Sequence, residues 1–199
     1  MNLDGYKAET IFKKIKQVRD EIKSVCLASD RPYLSINELC SVVSKMYELE
    51  IELFEVPFEG EFLRGMIERY QKKAIIYIKK GQSEEWKRFT VAKELCHIIA
   101  DEPEDWSIHG EVTIGKLLAE HQLAGVQLAD RVVQSETFAE IGAIELLYPY
   151  KDRAYDRKNG QTISSIASYH KIPEVIAAQA LSDWYDALSN SVWARVGID

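Results

Sequence analysis

Residues Glu50-Ile51-Glu52-Leu53-Phe54-Glu55-Val56 alternate acidic and apolar side chains, which is how a strand with one buried face reads. The stretches on either side repeat at three or four residues instead. A brief period-two island between helical segments confines the chain to the α+β class. Upstream, Ile11, Ile15, Val18, Ile22 and Val25 recur at helical spacing between Ala8 and Ala28, so an amphipathic helix is expected there. Arg31-Pro32 ends it. Ser35 stands three residues before Glu38, a capping-box spacing, and opens a second helix through Leu39, Val42, Val43 and Met46.

Two more strands are expected, at 63–69 and 73–78, with Tyr70-Gln71-Lys72 as the hairpin link. The result is a small antiparallel sheet of about three strands, packed with several helices. From Ser83 onward the pattern is helical: 84–100, part of 113–133, 135–147, a short helix capped by Thr162 and running to His170, and a last one from Ile172-Pro173 through Leu181 and Trp184. The expected organisation is an N-terminal helical segment over 1–34, a main domain over 35–190 and a C-terminal tail over 191–199.

With 199 residues the chain is long enough to bury a real core. Its net charge of -7 gives it no general attraction to nucleic acid. Its apolar runs fall short of the ~18 residues that span a bilayer. The start, Met1-Asn2-Leu3-Asp4-Gly5-Tyr6, lacks the basic and apolar regions of a secretion signal. A cytoplasmic protein without membrane contact is the expectation. Cys26, Cys40 and Cys96 are too scattered for a disulfide framework or a cysteine zinc site and are expected to pack as small apolar residues. Trp86, Trp106, Trp184 and Trp193 are expected to pack as well. The helix pair from Thr162 to Ser189 has the outline of a helix-turn-helix. Its second member offers Glu174, Gln179, Asp183 and Asp186 and no lysine or arginine, so DNA reading by it is not expected.

Chemistry concentrates in Arg88-Phe89-Thr90-Val91-Ala92-Lys93-Glu94-Leu95-Cys96-His97. Residues four apart on a helix share a face, and the HExxH motif uses this to aim two histidines at one zinc, with the glutamate as general base for the metal-bound water. Glu94 and His97 occupy the base and second-histidine positions. Lys93 stands where the first histidine belongs. A protonated lysine repels a metal cation. Without a metal, His97 reads as a buried histidine bonded to backbone.

The segment resembles the ImmA/IrrE (DUF955) group of zincin-like metallopeptidases, with their RFT-x-A-HE-x-x-H helix. The likeness continues into Glu136-Thr137-Phe138-Ala139-Glu140 and Leu146-Leu147-Tyr148-Pro149, which match the family's E-x-x-A-(N/D) and L-L-x-P patterns, and it covers roughly 35–181. It implies a zincin-like fold, zinc as the family cofactor, and Glu136 as the position of the third zinc ligand. Departures are Lys93 for the first histidine, Cys96 for a glycine, Glu140 for Asn or Asp, and a longer stretch between His97 and Glu136.

These observations predict a degenerate metallopeptidase-like pseudoenzyme. Glu94 is its vestigial base, His97 and Glu136 are its remaining ligands for any metal that binds, and Lys93 is a cation in the metal's stead. Zinc is expected to be absent or weakly held. The resemblance implies a protein partner, a helix-turn-helix transcriptional repressor in a phage-derived or stress-response circuit. One alternative is an active zinc endopeptidase with His109 or His121 as substitute ligand. Another is a phage or mobile-element interaction protein with no role for the old site. On the bland reading, His109, His121 and His170 pack or lie at the surface, and Glu136 is an acid at a helix N-terminus.

Overall fold

The computed structural model describes residues 5–29, 33–59, 63–102 and 131–197. The element order is α1 (Gly5–Ser29), α2 (Ile36–Tyr47), β1 (Glu50–Val56), β2 (Gly65–Arg69), β3 (Lys73–Lys79), α3 (Glu84–Ala100), α4 (Arg131–Leu147), α5 (Tyr150–Lys158), α6 (Ile163–His170), α7 (Glu174–Ala180) and α8 (Asp183–Val196). The class is α+β and zincin-like, with helices gathered around one small sheet. No helix among the described residues is long and apolar enough to cross a membrane.

The sheet runs in the order β1-β3-β2. It is mixed rather than antiparallel: β2 pairs with β3 antiparallel and β1 pairs with β3 parallel. The hairpin at Tyr70, whose amide bonds the Lys73 carbonyl at 2.7 Å, puts β2 on one edge of β3. That leaves β1 the other edge. Two reversals of the chain then make β1 and β3 run the same way. Side-chain alternation marks which face is buried and is silent on direction. β3 buries Ala74, Ile76 and Ile78 on its inner face.

α3 is the central helix. From Arg88 to Ala100 every residue except Lys93 is buried, so its polar side chains must find partners inside the protein. Ser83 caps its start, accepting from the Trp86 amide. α4 packs along α3, and its Phe138, Ala139, Ile141 and Ile144 are buried in the core. A Cβ at Gly142 would lie 2.8 Å from Cys96 Sγ and 2.8 Å from Ile15 Cδ1. Gly142 therefore provides the room that the Cys96 side chain takes between the two helices.

α1 lies across α3, α4 and α8, burying Ile11, Phe12, Ile15 and Val18 in the same core. Phe12 meets Trp193 edge-on at 5.2 Å. α8 continues past position 190, where a tail was expected to begin, with Val192 and Trp193 buried.

Three helical expectations change. α4 begins at Arg131, a turn before Ser135. α5 follows Pro149 without having been anticipated. The last helix is two, because Ser182 caps a fresh start at Asp183. The expected helix over 113–133 lies outside the described residues, apart from 131–133 in α4. Cys40 and Cys96 are buried and Cys26 half-buried, all three as free thiols. Trp193 is buried and Trp86 packs against the core, but Trp184 is 47% exposed. Trp106 lies outside the described residues.

Candidate functional site

Lys93, Glu94 and His97 leave α3 toward the facing turn of α4, which carries Glu136. Lys93 Nζ lies 2.5 Å from Glu136 Oε2 and 3.9 Å from Glu94 Oε1. His97 Nε2 faces the other Glu136 oxygen, Oε1, at 3.5 Å. Glu136 thus presents one oxygen to each of two basic side chains. The structure brings together all four residues that the sequence singled out on these two helices. His109 and His121 lie outside the described residues. His170 is buried away from this cluster, with its ring 4.5 Å from that of Tyr148 and its Nε2 3.7 Å from Asp156, as a packing residue would be.

Two members of the cluster escaped the sequence reading. His97 Nδ1 donates to Asp101 Oδ2 at 2.8 Å, and the Ser135 hydroxyl donates to the same oxygen at 2.8 Å. Asp101 follows His97 by four residues at the end of α3, so helical spacing was the signal available. A carboxylate behind the far ring nitrogen is how metal-binding histidines are commonly oriented. The ring partners of His97 are therefore side chains, not backbone groups. Since α4 starts at Arg131, Glu136 lies beyond the helix's first turn, so its reading as an N-terminal acid falls away. Glu140 accepts from Gln179 Nε2 at 2.6 Å and ties α4 to α7. Arg69, at the end of β2, donates to the His97 carbonyl at 2.8 Å.

β2 passes close to the cluster. A Cβ at Gly65 would lie 2.3 Å from Thr90 Cγ2 and 3.2 Å from Glu94 Oε1. Only a residue without a side chain lets the strand come this near to the helix.

The electrostatics follow from burial and proximity. Burial by itself would lower the Lys93 ammonium, but the Glu94 and Glu136 charges outweigh it and hold the group above its ordinary range. Burial would raise Glu136, yet the Lys93 charge and the His97 hydrogen bond and charge hold it well below the usual carboxylate range. Glu94 is raised by burial, against the opposing charges of Lys93 and His97. For His97, burial disfavours the cation, but hydrogen bonds to Asp101 and Glu136 and the carboxylate charges prevail, raising it from 6.5 to about 10. A neutral imidazole has one N–H and could serve only one of its two carboxylate neighbours.

His97 is accordingly expected to be doubly protonated at neutral pH. Nitrogen chemical shifts of its ring at pH 7.5 should be those of an imidazolium. Because the folded value exceeds the unfolded one, the linked stability is full below about pH 6.5 and declines as pH rises toward about 10. A neutral tautomer at pH 7.5, or stability that rises across that window when compared with His97→Gln, would contradict this.

A family model described as the IrrE N-terminal-like domain of peptidase family M78 matches residues 47–182. The chain belongs to this family. The match runs from the end of α2 through α7, so it contains the sheet, α3, α4 and the whole cluster. A search of curated proteins finds no significant match. Among the described residues of this IrrE-like domain, no group of three or more His, Cys, Asp or Glu side chains is arranged to hold a metal ion.

Proposed function

We propose that this chain is a degenerate member of the IrrE N-terminal-like family, one that works in the cytoplasm by binding a protein partner rather than by cutting peptides. The observation that carries the proposal is the Lys93 ammonium, 2.5 Å from Glu136 and 3.9 Å from Glu94. Catalytic zinc needs three protein ligands that are free of protons, and an open position for water. Here both Glu136 oxygens face basic groups. His97 turns its Nε2 toward Glu136, and the first ligand position holds a cation. The residues as arranged do not fit zinc. One fixed positive charge does what a metal would otherwise do for the carboxylates, which is to keep them from repelling each other.

The partner in this proposal is a helix-turn-helix transcriptional repressor, sequestered rather than cleaved. The family supports this partner class; the cluster supports the loss of hydrolysis. The purified chain, incubated with zinc and such a repressor, is expected to show no hydrolysis that a chelator suppresses. Glu94→Gln is expected to leave the background unchanged. Hydrolysis lost on both chelation and Glu94→Gln would instead establish the active enzyme, with a ligand from beyond this cluster.

A further inference from the structure

A second site is built on the opposite edge of the sheet. Arg88, in the first part of α3, is 6% exposed. Its Nη1 donates to the Leu34 carbonyl and its guanidinium lies 5.3 Å from the Tyr33 ring centroid. Its Nε has no hydrogen-bond partner. Among the described residues no carboxylate forms an ion pair with it. Burial pushes this cation down to about 10, with Tyr33 and Cys26 acting the other way. A buried guanidinium without a carboxylate is costly, and five planar donors in a fork suit one.

Arg88 opens onto a groove of about 650 Å³ that it shares with Asn37, Leu53, Glu55, Glu84, Glu85 and Lys87. Lys87 pairs with Glu55 at 2.7 Å and Glu84 at 3.2 Å, which leaves Arg88 as the cation without a carboxylate among these described residues. A second hollow of about 450 Å³ continues it past Ser41 and Ile51. One wall is α2. The other is the edge of β1 that no described strand pairs with, β1 being the outermost strand on this side of the sheet among the described residues. The Glu50 amide bonds the Lys72 carbonyl and the Val56 carbonyl accepts from Lys80, so this alternate set of backbone groups faces β3. The amides and carbonyls of Ile51, Leu53 and Glu55 therefore face the groove. An unpaired edge of this kind is a template for an added strand.

We propose that this groove docks an extended peptide segment that carries an acidic side chain. Its backbone pairs with Ile51, Leu53 and Glu55, and its carboxylate rests on Arg88. The site is separate from the Lys93 cluster, which does not line it, and does not depend on how that cluster functions.

The test is selection of a random twelve-residue peptide library on the whole chain. Enriched peptides are expected to share one Asp or Glu at a fixed place in an alternating, β-prone pattern. Exchanging that residue for its amide should weaken binding roughly tenfold or more, and so should Arg88→Met. Ser41→Trp, at an exposed position on α2, should block binding by filling the groove. If Arg88→Met fails to fold, the amide peptide makes the same measurement on the intact protein. Failure to enrich any peptide, enrichment of peptides without an acid, or binding indifferent to the amide exchange or to Ser41→Trp would overturn the proposal.

Discussion

Replacing Lys93 with alanine is expected to destabilise the domain by about 2–3 kcal/mol in urea unfolding. The change strands Glu94, which is 4% exposed, and leaves Glu136 with His97 alone. Breaking a fully buried ion pair costs about 3–5 kcal/mol. The Lys93 and Glu136 side chains are 26% and 23% exposed, so solvent offsets part of that. The sign with pH follows from the shifts. Glu136 is held below its ordinary range, so its share is present above the usual carboxylate range and is lost as pH falls through its lowered folded value. Lys93 is held above 10.5, so its share is present below that pH and is lost as pH rises past it. Lys93→Met combined with Glu136→Leu should recover only part of the loss: it removes the Glu136 charge that Lys93 had paired, but Glu94 stays buried without its cation. A cost under about 0.5 kcal/mol for Lys93→Ala would mean an ordinary surface pair.

Arg153→Met is expected to cost more, about 3–5 kcal/mol. Arg153 and Glu145 are 2% and 0% exposed, and Arg153 Nη2 donates to Glu145 Oε1 at 2.5 Å. The same carboxylate accepts from Tyr185 and Ser189 on one oxygen and from the Trp193 indole on the other. Arg153 Nη1 also bonds the Tyr148 carbonyl at 2.5 Å. This network fastens α4, α5 and α8 together at the far end of α4 from Glu136. Without Arg153, a carboxylate fully removed from water would retain only neutral donors. The loss should appear as a lower urea midpoint. A change within about 0.5 kcal/mol would show that the neutral donors suffice for Glu145.

The two networks differ in how far the sequence disclosed them. Lys93, Glu94 and His97 were legible because a helix turns short spacing into a shared face. Glu136 lies 43 residues from Lys93, and only the family pattern pointed to it. Asp101 was within reach of the same i,i+4 rule that joined Lys93 to His97. Glu145 and Arg153 were not legible, since nothing in spacing tells a buried charge from a solvated one. This also explains why α5 was missed. In Tyr150–Lys158 the buried residue is Arg153, so the helix has no apolar stripe to detect. The strands were found through alternation, but the parallel pairing of β1 with β3 came from the order of reversals. At the other end of the chain, Leu181 and Trp184 read as one apolar series, and only the Ser182 cap divides it into two helices.

The central claim is that a lysine holds the position a metal would take, and the metal content of the native protein tests it most directly. The chain purified without chelators and analysed for zinc is expected to contain well under one equivalent. Lys93→His, which supplies the missing ligand and removes the repelling charge, is expected to bring the content up toward one. Stoichiometric zinc in the native protein, unchanged by Lys93→His, would contradict the account.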